Sequence, residues 1–161
     1  MIKITVLCLA IVFSQSAVWA ATQGANVNAV KLKLEKLSSK MDRAVRDRRG
    51  GWLLERKLVD ESRALSEWTA DKKRMSASIH HYPSVEAAIK DMSIAPGIVS
   101  RGYGEKLDGL GEEAYVWKWD DGGTRYRVQF RKSNLIIIIH ASTIPDGEDL
   151  ARVLADTVTV P

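Results

Sequence analysis

Cysteine is nearly missing from this chain: Cys8 stands alone, inside an apolar N-terminal stretch. A chain processed after Ala20 has none, which excludes disulfides, thiolate metal sites and thiol catalysis. There are three histidines. His80 and His81 are adjacent, so on a strand they point to opposite faces and do not jointly hold one metal ion. No Gly-x-Ser-x-Gly elbow and no phosphate-binding Gly-rich loop with Lys-Ser/Thr occurs. Gly102-Tyr103-Gly104 lacks the third glycine of a dinucleotide loop, so its glycines read as turns. Neither metal nor cofactor is expected. No apolar run after residue 21 is long enough to span a bilayer.

Charge of either sign is not scarce, but it is uneven. Lys31–Arg74 carries a net +6, and the rest of the chain after residue 20 a net −3. The signs are mixed along the chain, as on a solvated surface. A basic stripe with interleaved aromatics is absent, so no nucleic-acid partner is expected.

Residues 1–20 read as a secretory signal peptide: Lys3, the short apolar core Ile4–Phe13, and Val18-Trp19-Ala20 before the cut. Residues 21–49 are an N-terminal segment and helix, and 50–161 the folded domain. An exported domain with no disulfide and no Asn-x-Ser/Thr sequon points to a periplasmic or extracellular bacterial protein.

The clearest structural signal lies in Gly109–Thr143. Tyr126, Val128 and Phe130 alternate with Arg125, Arg127, Gln129 and Arg131, the pattern of a strand with one apolar and one cationic face. A two-residue turn at Asp121-Gly122 would pair Trp119 with Thr124, Trp117 with Tyr126 and Lys118 with Arg125. That puts Tyr115, Trp117 and Trp119 in an aromatic ladder on the apolar face. A second turn at Ser133-Asn134 sets Phe130 against Ile137, Val128 against Ile139 and Arg127 against His140. Leu135–Ile139, apolar on both faces, reads as a covered inner strand, with Arg131 and Lys132 as charged gatekeepers before it.

The remaining elements follow from spacing. Val30, Leu34, Leu37, Met41 and Ala44 recur at helical intervals, ended by Gly50-Gly51. Trp52–Tyr82 reads as a three-stranded meander. Ser84 caps a helix through Val85, Ala88, Ile89 and Met92, stopped by Pro96-Gly97. Ile98–Gly111 is a glycine-containing loop. A last helix starts with Asp146 as its cap and turns Leu150, Val153, Leu154 and Thr157 to the sheet. The expected fold is α+β: one antiparallel sheet of about six strands, helices mainly on one face, in a two-layer sandwich.

Tyr82-Pro83-Ser84, Glu86-Ala87-Ala88, Gly109-Leu110-Gly111-Glu112-Glu113-Ala114-Tyr115 and Phe130-Arg131-Lys132-Ser133-Asn134 with its following aliphatics form a pattern. Over Tyr82–Val158 the chain resembles small exported bacterial proteins with the sequence GLG[DE]EAY…FRK[GS]N. Their fold is similar to PsbP/Mog1-type and secreted sensor-type α/β sandwiches. The resemblance implies an exported, non-enzymatic domain and supplies no functional residues. Ser133 stands where that pattern usually has glycine.

The function expected is an exported non-enzymatic binding or protein-interaction module, monomer or weak dimer, with a protein or envelope component as partner. Its candidate binding residues are Lys118, Arg125, Arg127, Arg131 and His140, on the cationic sheet face. One alternative is a small periplasmic hydrolase combining His80, His81 or His140 with Glu112 or Glu113. Another is an oligomeric envelope assembly accessory joined through the seam Leu34, Leu37 and Met41.

Overall fold

A computed structural model describes residues 26–47, 51–71, 73–120 and 124–158. The expected signal peptide, the segment from Ala21 to Ala25, Gly50 and the turn residues Asp121-Gly122 lie outside the described residues.

Seven strands form one antiparallel sheet in the order β1-β2-β3-β7-β6-β5-β4. Strands β1 (Leu53–Val59), β2 (Arg63–Ala70) and β3 (Lys73–His81) are the meander expected over Trp52–Tyr82. The second set is β4 (Gly104–Lys106), β5 (Glu113–Asp120), β6 (Thr124–Lys132) and β7 (Leu135–Ala141). β7 pairs with β3 and so joins the two meanders at the centre of the sheet. The strand beyond the expected six is β4, inside the stretch read as loop; it pairs Gly104 with Trp117 and Lys106 with Tyr115.

One sheet face carries the main core. Across neighbouring strands, Ala64, Ile79, Ile137, Phe130 and Ala114 form one row, and Ser66, Ala77, Ile139, Val128 and Val116 the next. Helix α1 (residues 26–47) lays Leu34, Leu37, Met41 and Val45 on this face. Helix α4 (Ile144–Thr157) adds Leu150, Ala151 and Leu154. Each such side chain contributes about 1.5–3 kcal/mol by leaving water. The helical seam of α1 is therefore spent on the chain's own sheet and presents no apolar interface there. Beside it, the buried Asp42 accepts from Ser66 Oγ at 2.8 Å and from Lys57 Nζ at 2.9 Å, which satisfies a carboxylate that burial would otherwise penalise.

The opposite face is partly covered too. Short helices α2 (Val85–Met92) and α3 (Ile94–Ser100) place Ala88, Met92 and Ala95 on Tyr115, Trp117 and Ile136. The two long helices lie on one face, and this short pair adds a partial third layer on the other, beyond the expected two-layer sandwich. It explains why Leu135–Ile139 is apolar on both sides: Ile137 meets the main core and Ile136 meets α2 and α3. Ser84 caps α2 as expected, accepting from Ala87 N at 3.1 Å. Pro96-Gly97 does not stop the helical path; α3 runs through it. Pro96 falls in the first turn, where a helix has no N–H partner to lose. The cap of α4 is Thr143 rather than Asp146. Asp146 N donates to Thr143 Oγ1 at 3.2 Å while Thr143 Oγ1 donates to Asp146 Oδ2 at 2.7 Å, so the acid serves the same helix end from inside it.

The second hairpin has the expected register, with Phe130 opposite Ile137, Val128 opposite Ile139 and Arg127 opposite His140. Its positive φ falls on Ser133, at 56°, the turn position where glycine costs least. Lys132, expected as a gatekeeper, donates to the carbonyl of Ala155 in the last turn of α4, a favourable place for a cation.

The first hairpin differs from expectation by one residue. Asp120 pairs with Thr124, Trp119 with Arg125, Lys118 with Tyr126 and Trp117 with Arg127. The connection spans residues 121–123 instead of two residues, and a one-residue slip exchanges the faces of a strand. Ala114 and Val116 thus enter the main core, while Tyr115, Trp117 and Trp119 lie on the cationic face.

Candidate functional site

That exchange puts aromatic rings among the cations. The Arg127 guanidinium lies 5.2 Å from the Trp117 ring centroid and 5.0 Å from that of Trp119. Each such contact is worth about 0.5–2 kcal/mol, more where water is excluded. Arg127 Nη2 also donates to Gln129 Oε1 at 2.7 Å, and Gln129 Nε2 donates to Met92 Sδ of α2 at 3.0 Å. Burial pushes the Arg127 pKa down, opposed by the charge of Asp91 and then by Tyr82. Tyr82 is itself pushed up to about 12, first by burial and then by its hydrogen bond to Asp91. Arg127 is therefore a fixed, half-buried cation at the edge of the α2–α3 cover. The Trp119 ring packs on His140 with centroids 5.8 Å apart and is 37% exposed.

Next to this stack, where none of the described helices covers the sheet, is a cavity of about 100 Å³. It is lined by Glu55, Glu67, Arg74, Ser76, Arg125 and His140, with Trp68 and Met75 also at its wall. The strands set this arrangement: Glu67 pairs with Ser76, Ser76 with His140, and His140 with Arg127. Glu55 arrives differently, as the extra residue where the β1–β2 register shifts between Leu54 and Arg56.

The expected site residues therefore separate. Arg125, Arg127 and His140 share the uncovered end of the polar face. Lys118 lies on the other face, opposite Tyr126, a consequence of the register change. Arg131 shares the polar face but is engaged at its far end. Its Nη1 donates to Glu112 Oε2 at 3.3 Å, and its Nε lies 3.8 Å from Glu113 Oε2. Glu112 also accepts from Ser133 N at 2.8 Å, and Glu113 from the Tyr115 hydroxyl at 2.8 Å. Glu112 thus ties the loop before β5 to the β6–β7 turn, and Glu113 ties the start of β5 to Arg131 on β6.

The geometry does not assemble a histidine–carboxylate pair from the residues considered for hydrolysis. Glu113 sits in the row of Arg131, Ile136 and His80, with two strands between it and His80. His140 is four residues along β7 from that row, about 13 Å at the rise of a strand. His80 Nε2 is 3.0 Å from Ser78 Oγ, and His81 Nε2 is 3.2 Å from Asn134 Nδ2 on the other face. Among the described residues no group of three or more His, Cys, Asp or Glu side chains is placed to hold a metal ion. Among them, too, no helix is long and apolar enough to cross a membrane.

Asp91, Glu55, Glu67, Arg74 and Ser76 were not singled out from sequence, and Tyr82 only as part of the Tyr82-Pro83-Ser84 motif. Each is unremarkable in its own segment; only the pairing of β3 with β7 and the β1 bulge bring them to this face.

Burial lowers the pKa of His80, helped by the charge of Arg63, and burial with the charge of Lys33 lowers that of His81. The unfolded chain then takes up protons first as pH falls below about 6.5. Stability is at its full value above that pH and declines towards the folded-state pKa values. The melting temperature is expected to fall between pH 7.5 and 5.5, and His80→Gln to reduce that fall. A slope unchanged by the substitution would contradict the assignment.

No protein-family model, no curated protein and no solved structure matches this chain. The fold and its uncovered face therefore carry the functional reading alone.

Proposed function

We propose that the protein is an exported, non-enzymatic binding module, and that the uncovered end of its polar sheet face takes an acidic or amphipathic protein or envelope partner. The observation that carries this is the stacking of Arg127 on both Trp117 and Trp119, with Trp119 resting on His140 and partly exposed. Aromatic and arginine side chains already held in place lose little freedom on binding, which is why they recur as interface anchors. Arg125 beside them adds charge complementarity for an acidic surface. Export rests on Lys3, the apolar stretch Ile4–Phe13 and Ala20, and a secreted chain beginning at or near Ala21 is its check.

The direct experiment compares the exported wild-type chain with Arg125→Glu in co-purification from the envelope fraction. Arg125 is only part-buried, so the variant is expected to keep its melting temperature within about 2 °C. It is expected to lose a salt-sensitive partner that the wild type retains. An identical set of retained proteins for both chains would overturn the assignment of this face.

A further inference from the structure

We propose that the cavity beside β1 is a binding site for a small zwitterion of the α-amino-acid type, with its ammonium held by Glu55 and Glu67 and its carboxylate by Arg74 and Arg125. This rests on the reading of the polar face as the binding surface and names what the cavity at its uncovered end takes.

The first argument is charge order. Glu67 lies on β2 and Glu55 at the β1 bulge, whereas Arg74 is on β3 and Arg125 on β6. Ser76 shares β3 with Arg74, and His140, paired directly with Ser76, lies on β7 between β3 and β6. β2 and β6 are three strand spacings apart in the sheet, about 14 Å between backbones, a gap that glutamate and arginine side chains reach into from either side. Two carboxylates, on β1 and β2, and two guanidiniums, on β3 and β6, line one cavity. Among the described residues no salt bridge joins Glu55 or Glu67 to Arg74; the ion pair of Glu67 is with Arg56, at 4.0 Å.

Ligand class follows from that lining. A simple anion would meet the arginines but be repelled by the glutamates, and a simple cation the reverse. A molecule carrying both charges satisfies both walls and leaves the cavity neutral. Size favours a small molecule: about 100 Å³ is well below the volume of a site for a drug-sized ligand. That suits one amino-acid backbone with a small side chain, and not a folded partner.

The bulge is independent support. Regular alternation from Arg56 would turn Glu55 towards the helix-covered face. The shift instead lets Leu54 take the position opposite Trp68 and leaves Glu55 as the extra residue beside the cavity. Bulges of this kind re-aim a side chain, and they are common next to functional sites.

The test is thermal melting of the full chain with glycine or L-alanine, and with acetate or ethylammonium as probes carrying one charge each. Saturating glycine and L-alanine are expected to raise the melting temperature by several degrees, and the single-charge probes by less than about one degree. Glu67→Gln and Arg74→Gln should each abolish the rise while keeping a cooperative melt; if one of them fails to fold, the other decides. An equal rise with acetate would mean an anion site and overturn the proposal, as would no rise with any probe. If Arg125→Glu loses its envelope partner while glycine and L-alanine have no effect on the wild type, only this inference fails. If the amino acids bind and the envelope partner is indifferent to Arg125, the partner reading fails and the cavity stands.

Discussion

Replacing Phe130 with alanine is expected to lower stability by about 3–5 kcal/mol. The side chain is fully buried in the middle of β6, in the row of Ile137 on one side and Ala114 on the other. The β-sheet backbone that holds these neighbours is rigidly paired, so the space left by the ring has little chance to collapse, and the cavity penalty adds to the lost transfer energy. For a chain of this size the melting temperature should drop by about 6–20 °C. Urea unfolding followed by circular dichroism measures it, with an unchanged slope showing that the same two states are compared. A loss below about 1 kcal/mol would be incompatible with Phe130 in the core.

Gly111→Ala should cost about 2–5 kcal/mol, for two reasons that add. Gly111 has φ +60°, and a Cβ built on it would overlap the carbonyl oxygen of Arg131. The left-handed conformation accounts for about 1–2 kcal/mol and the forced displacement for about 1–3 kcal/mol. The obstacle is backbone, and it cannot swing aside as a side chain would. It is also the backbone that accepts from Glu112 N at 3.0 Å, so the loop and β6 must part locally. Gly109→Ala is the control: φ is +75° there, but nothing lies within 4 Å of the added atom. It should show the conformational cost alone. Equal losses at the two positions would mean that the close approach of Gly111 to Arg131 carries no energy.

These two positions also show how much was legible in sequence. Phe130 was assignable to the core because Tyr126, Val128 and Phe130 alternate with charged residues, and a pattern of period two has one reading. The Ser133-Asn134 turn was legible from turn chemistry, and a two-residue connection there sets Phe130 against Ile137 and Val128 against Ile139. The GLG segment was visible as glycine-rich, but the carbonyl it presses against is on another strand. Nothing within residues 109–111 states that.

The first hairpin was misread because its strand carries two apolar sets. Ala114 and Val116 alternate with Tyr115 and Trp117, so hydrophobicity favours neither face, and the aspartate-glycine stretch accommodates two or three turn residues. Burial of the small side chains under the long helices, and of the aromatic rings under α2 and α3, settles the register. Local sequence determined where strands and helices run, because period, caps and turn residues act over a few positions. Tertiary structure decided which faces meet. β3 pairs with β7 across more than fifty residues of chain, and the cavity exists only once that pairing is made. Such contacts depend on the sum of burial over the whole sheet, a quantity no short window of sequence contains.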